Sequence, residues 1–159
     1  MERNATRHVV TIVPAVPIAK TVKRLRIAAK MTQMQLAQRL GMKVMAISNI
    51  ERMLTVPRLT TAVALANVFR ISVDALISGA EASAEFVPLS MPTAAELGAA
   101  IRRRRESVGM PQTELAQKAS VGASDVFAWE GGTRLSLSEP LYRVARTLGI
   151  TVDDLFIKC

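Results

Sequence analysis

Cysteine and histidine are almost missing from this chain, with Cys159 and His8 the sole example of each in 159 residues. A single thiol closes no disulfide within the chain and suits a reducing compartment. Two such side chains fall short of a zinc ligand set, so no metal is expected. Aromatic residues are few, at 4 %, and the abundance of Ala, Leu, Val and Met suits short packed helices better than strands. No run of 18 apolar residues exists, so no membrane span is expected. The apolar stretch from His8 to Pro17 follows Arg3 and Arg7 as an export signal would. Pro14 and Pro17 break it as a helix and no small-residue cleavage site follows, so a cytoplasmic protein is expected. Phosphate-binding loops, candidate carboxylate pairs and Cys/His constellations are lacking too. The expectation is therefore no enzyme and no cofactor.

Acidic residues are outnumbered, 13 against 21 Lys and Arg, for a net charge of +8. The excess is lopsided: residues 1–90 hold 12 basic against 5 acidic side chains, residues 91–159 hold 9 against 8. A compact basic helical chain calls for a polyanionic partner, nucleic acid first.

What the chain does have is a repeat at an offset of 79 residues. Gln33-Met34-Gln35-Leu36-Ala37-Gln38 returns as Gln112-Thr113-Glu114-Leu115-Ala116-Gln117, Glu51 as Glu130, and Ile71 to Leu76 as Ile150 to Leu155. The register holds without insertion from about Ile18 onward, which divides the chain into an N-terminal arm (1–17), a first domain (18–79), a linker (80–96) and a second domain (97–159). Each domain is near the size at which one apolar core suffices.

Periodicity and capping residues predict five helices per copy. In the first copy these run from Ile18 to about Ala29, from a Thr32-Gln35 capping box to Leu40 with Gly41 turning the chain, from Val44 to Arg52, from after Pro57 to Phe69, and briefly after Ser72. The second copy repeats them, with the third helix over Ala123 to Glu130, Ser136-Leu137-Ser138-Glu139 boxing the fourth, and Thr151-Val152-Asp153 capping the fifth. Leu36, Ala37, Ile47, Leu65, Leu76 and their counterparts are expected in the core, and Trp129 between the third and fourth helices. The linker's second half, Phe86 to Pro92, is apolar enough to be extended and packed, with Val9 to Val13 as a pairing partner.

With Gln33-x-x-Leu36-Ala37 and Glu51, then Gln112-x-x-Leu115-Ala116 and Trp129-Glu130-Gly131-Gly132, the chain resembles the phage-repressor and Cro-like (Xre-like) helix-turn-helix family. The resemblance implies an all-α protein of two tandem five-helix lambda-repressor-like domains behind an extended N-terminal arm. It implies double-stranded DNA as the partner, with each third helix in the major groove. The residues this places at base edges are Lys43, Val44, Met45, Ala46 and Asn49 in the first copy. Gly122, Ala123, Ser124, Asp125 and Ala128 are theirs in the second. Gln33 and Gln112 would meet phosphate at helix N-termini, and Arg52 and Arg134 after the third helices. Glu51 and Glu130 read as structural, through a local hydrogen bond or ion pair. Arg102 to Arg105 wrap their helix and read as solvated.

Three departures from the family pattern stand out. Met53 occupies a position that favours glycine, Ser136 replaces the proline seen at Pro57, and Arg104 sits where the first copy has core Leu25, so that the second copy's first helix must rotate slightly or let the arginine snorkel. Val44, Met45 and Ala46 touch thymine methyls at best, so the reading surfaces are poor in hydrogen-bonding groups. The expected function is sequence-specific transcriptional regulation, both copies docking as a covalent pseudo-dimer. A tether reaching roughly 55 Å spans half-sites about 34 Å apart. The other reading is a helix-turn-helix-fold protein-interaction module, an antitoxin or anti-activator, or a homodimer, since methionine surfaces adapt to partners. Exposure of Met45 and Met53 as one patch would favour it.

Overall fold

The computed structural model describes residues 16–81 and 86–156. Among them the chain is all-α, in two tandem copies. The first comprises α1 (Val16–Ala28), α2 (Gln33–Leu40), α3 (Val44–Glu51), α4 (Leu59–Phe69) and α5 (Val73–Ser78). The second comprises α6 (Ala94–Ser107), α7 (Gln112–Ala119), α8 (Ala123–Glu130), α9 (Ser138–Thr147) and a closing 3-10 helix, Asp153–Phe156. Most of the N-terminal arm, and with it the pairing suggested for Val9 to Val13, lies outside the described residues.

Local chemistry sets the helix ends. Thr32 Oγ1 accepts from the Gln35 amide at 3.1 Å while Gln35 Oε1 accepts from the Thr32 amide at 2.8 Å, the expected capping box. Gly41 closes α2 in the left-handed conformation. α1 begins two residues before the expected Ile18, because Pro17 falls in its first turn, where a missing N–H costs nothing. The box expected at Ser136 does not form: Leu137 is the N-cap of α9 and makes no side-chain cap. Its first turn holds Pro140, which needs one fewer amide partner. The second copy's fifth element is a 3-10 turn rather than an α-helix, closed by Thr151 and Asp154 bonding each other reciprocally.

Leu36, Ile47, Leu59, Leu65 and Leu76 are fully buried in the first copy, as are Leu115, Val126, Leu141 and Ile101 in the second. Each such side chain contributes roughly 1.5–3 kcal/mol on leaving water. One apolar cluster runs through both copies without a break. The linker's second half is packed, as expected, but against α4: Asn67 Nδ2 donates to the Leu89 carbonyl and Asn67 Oδ1 accepts from its amide, both at 3.0 Å. Arg70 lies over the Phe86 ring, 5.8 Å from its centroid.

Four turn positions take positive φ in both copies at the 79-residue offset: Lys30 and Gly109, Gly41 and Ser120, Met53 and Gly132, Arg70 and Gly149. Glycine fills each in one copy only. At Met53 (φ 61°) an exposed L-residue bears the cost that Gly132 avoids. Met53→Gly is expected to raise stability by up to about 1 kcal/mol in urea unfolding, since relief of the left-handed strain exceeds the added unfolded-state entropy.

Candidate nucleic-acid interface

A buried clamp holds each helical pair in place. In the first copy the Arg26 guanidinium donates from Nε to Glu51 Oε1 at 2.6 Å and from Nη2 to Oε2 at 2.9 Å. Its third nitrogen donates to the Met31 carbonyl at 2.8 Å, and Gln33 Nε2 donates to Glu51 Oε2 at 2.8 Å. The second copy repeats all four bonds with Arg105, Glu130, Met110 and Gln112 at 2.6–2.8 Å. Both glutamates are 3 % exposed. Burial pushes their carboxyls up, but the hydrogen bonds from arginine and glutamine outweigh it and hold both below the ordinary value. The structural reading of Glu51 and Glu130 is therefore what the fold shows, and the fork joins α1, α2 and α3 (α6, α7 and α8) rigidly. The solvated reading of the arginine run fails at two positions. Arg105 is buried in the clamp, and Arg104 snorkels to donate to the Leu148 carbonyl at 3.1 Å, closing the end of α9.

On the clamped frame the third helices face outward. Lys43, at the N-cap of α3, is exposed with Val44 and Met45, while Ala46 and Asn49 are half-buried. Arg52 is exposed and caps the helix at its other end. Gly122, the N-cap of α8, is exposed with Ala123 and Ser124, and Asp125 and Ala128 are half-buried. Asp125 is ion-paired with exposed Arg134, two of the expected contact residues engaging each other. The amides of Gln33 and Gln112 point into the clamps. Sequence reasoning passed over Phe127, which is 70 % exposed on α8.

The profile of the helix-turn-helix family matches the chain twice, at residues 22–76 and 101–155, again 79 residues apart. The chain belongs to the Xre/Cro-like helix-turn-helix family. No curated protein and no solved structure matches it.

For a helix-turn-helix protein the contact between its copies matters as much as the reading helices. Arg58 pairs with Leu137 as an isolated antiparallel bridge, and Leu137 is Arg58's own repeat counterpart. Beside it, Ser138 donates to the Pro57 carbonyl from Oγ at 2.8 Å and from its amide at 3.3 Å. At the far end the two copies exchange caps. Asp153 accepts from the Val73 and Asp74 amides at 3.0 and 2.8 Å, and Asp74 accepts from the Val152 amide at 3.1 Å. Asp74 and Asp153 are counterparts as well. Burial raises the Asp153 carboxyl above its usual range despite these bonds. A residue meeting its own counterpart marks a two-fold axis, so the seam is isologous within one chain. A cleft of about 560 Å³ opens along it, bringing Arg58 of the first copy beside Arg134 and Trp129 of the second. The signal for the seam lay in the repeat, yet no sequence pattern says which counterpart residues meet.

Proposed function

We propose that the chain is a sequence-specific DNA-binding transcriptional regulator of the cytoplasm whose two helix-turn-helix copies act as a built-in dimer. What carries the reading is the seam. The two-fold relation at the seam carries over to α3 and α8, as it does to the recognition helices of a dimer on two half-sites a helical turn apart. The clamp supports it by fixing each third helix against its own frame, and the basic first copy supports it by supplying the counter-charge. The partner is double-stranded DNA. Gln33 and Gln112 contribute to phosphate contact through their main-chain amides at the helix starts. Arg52 and Arg58 contribute by charge.

Binding is expected to depend steeply on salt. If the protein neutralises about 6–10 phosphates, affinity for duplex fragments should fall roughly 10³–10⁵-fold between 50 and 200 mM salt. Fluorescence anisotropy on genomic fragments measures it, and binding that is flat in salt or missing at low salt overturns the proposal. A second reading, a protein-interaction module, draws on the exposure of Met45 (65 %), Met53 (55 %) and Leu54 (60 %). Met45 stands in the first turn of α3 and Met53 beyond its C-cap in a left-handed turn, while the two-fold seam has its counterpart in the docking of paired recognition helices on DNA. DNA binding therefore remains the favoured reading.

A further inference from the structure

The two-fold frame carries two chemically different reading faces. Position by position along the third helices, Lys43 is matched by Gly122, Met45 by Ser124, Ala46 by Asp125, Ser48 by Phe127, Asn49 by Ala128 and Arg52 by Gly131. The first face holds a cation and a carboxamide. Lys donates to guanine O6 and N7, and Asn pairs bidentately with adenine N6 and N7. The second face holds neither. Its one acidic group, Asp125, is neutralised by Arg134, which removes its repulsion toward phosphate and also occupies it as an acceptor for cytosine. What remains outward is Ala123, Ser124 and Phe127, with Val126 and Trp129 buried on the other side of the helix. Ser124 lies three residues and Ala123 four residues before Phe127, so all three share one stripe. An exposed phenyl ring and a methyl on a groove-facing stripe match the thymine C5-methyl group and no other base-edge feature of the major groove.

We infer, resting on the proposed function above, that this protein reads a non-palindromic operator. The half-site under the first copy is specified at guanine and adenine by Lys43 and Asn49. The half-site under the second is specified at thymine methyls by Phe127. Symmetric architecture and asymmetric chemistry are compatible because the two copies are encoded separately within one chain. A homodimer has no such freedom.

The test is selection of the intact protein on a random duplex library at low salt, followed by binding to the selected site. The expected motif is non-palindromic. Lys43→Ala and Asn49→Ala should relax the G and A positions of one half only. In the other half, replacing each contacted thymidine by deoxyuridine, which removes the methyl alone, should weaken binding about fourfold, the worth of one buried methyl group. Phe127→Ser, the residue the first copy carries at this position, should abolish that sensitivity; the deoxyuridine substitution in wild-type protein needs no variant to fold. A palindromic motif, or indifference to deoxyuridine, overturns the inference and leaves the proposed function standing. Failure to enrich any sequence while salt-dependent binding persists overturns sequence specificity and the inference together. No DNA binding at all overturns both readings in favour of a protein partner.

Discussion

Glu51→Ala is expected to destabilise the first copy by up to about 3–5 kcal/mol, because it leaves the largely buried Arg26 guanidinium, 13 % exposed, without its counter-ion. Total stability of a domain this small is only of order 5–10 kcal/mol, so a clear shift in the urea midpoint follows. The Gln33 amide loses its acceptor at the same time, and the start of α2 is freed from the end of α3. Removing both charges is a different matter. Arg26→Met with Glu51→Leu should recover most of the loss, since an apolar pair of similar volume replaces a buried ion pair at little net cost. A double variant as unstable as the single one would show that the clamp acts by more than charge compensation. Glu130→Ala is expected to act likewise in the second copy, whose four clamp bonds have the same lengths within about 0.1 Å.

Gly98→Ala is the second large effect. A Cβ built at Gly98 meets the Trp129 carbonyl oxygen at 2.1 Å and the Glu130 carbonyl oxygen at 3.1 Å. Both are backbone atoms of α8, so no rotamer change relieves the clash and α6 must move away from the recognition helix. A cost of about 3 kcal/mol or more is expected, at the top of the range for overpacking. The observable is Trp129, the single tryptophan, whose fluorescence on urea unfolding reports directly on this contact. The counterpart in the first copy is Ala19, buried at 2 % and carrying its methyl without difficulty. The same substitution type thus separates two helix spacings within one repeat. Unchanged stability in Gly98→Ala would mean that α6 and α8 do not approach so closely.

Much of the fold was legible because it repeats. Thr32 with Gln35, Gly41, and the apolar positions of α2 and α3 each specify local geometry through capping, left-handed turns and a 3.6-residue period. A second copy in the same register turned those weak signals into a strong one. The clamp was half legible: Glu51 and Glu130 read as structural, while Arg105 was lost among Arg102, Arg103 and Arg104. Its counterpart Arg26, 79 residues earlier and outside any such run, was the available signal. The failed capping box at Ser136 shows the opposite case. A valid local pattern lost to a tertiary one: the Ser136 hydroxyl that would have capped the helix donates to the Leu137 carbonyl, and Leu137 and Ser138 are held by Arg58 and Pro57 of the other copy.

By itself the sequence determined two helix-turn-helix units of about equal length, their core faces, their basic bias and the residues on their third helices. These follow from interactions between residues near one another in the chain, which periodicity and spacing record. The tertiary structure alone decided that Asp153 caps α5 and Asp74 the 3-10 helix, that Arg58 faces Leu137, and that Asp125 and Arg134 neutralise each other. It also decided that Phe127 faces solvent while Trp129, two residues on, is buried. Such pairings depend on how two helical units dock. An isologous seam can form through many combinations of counterpart residues, and the chain's local preferences are the same for all of them.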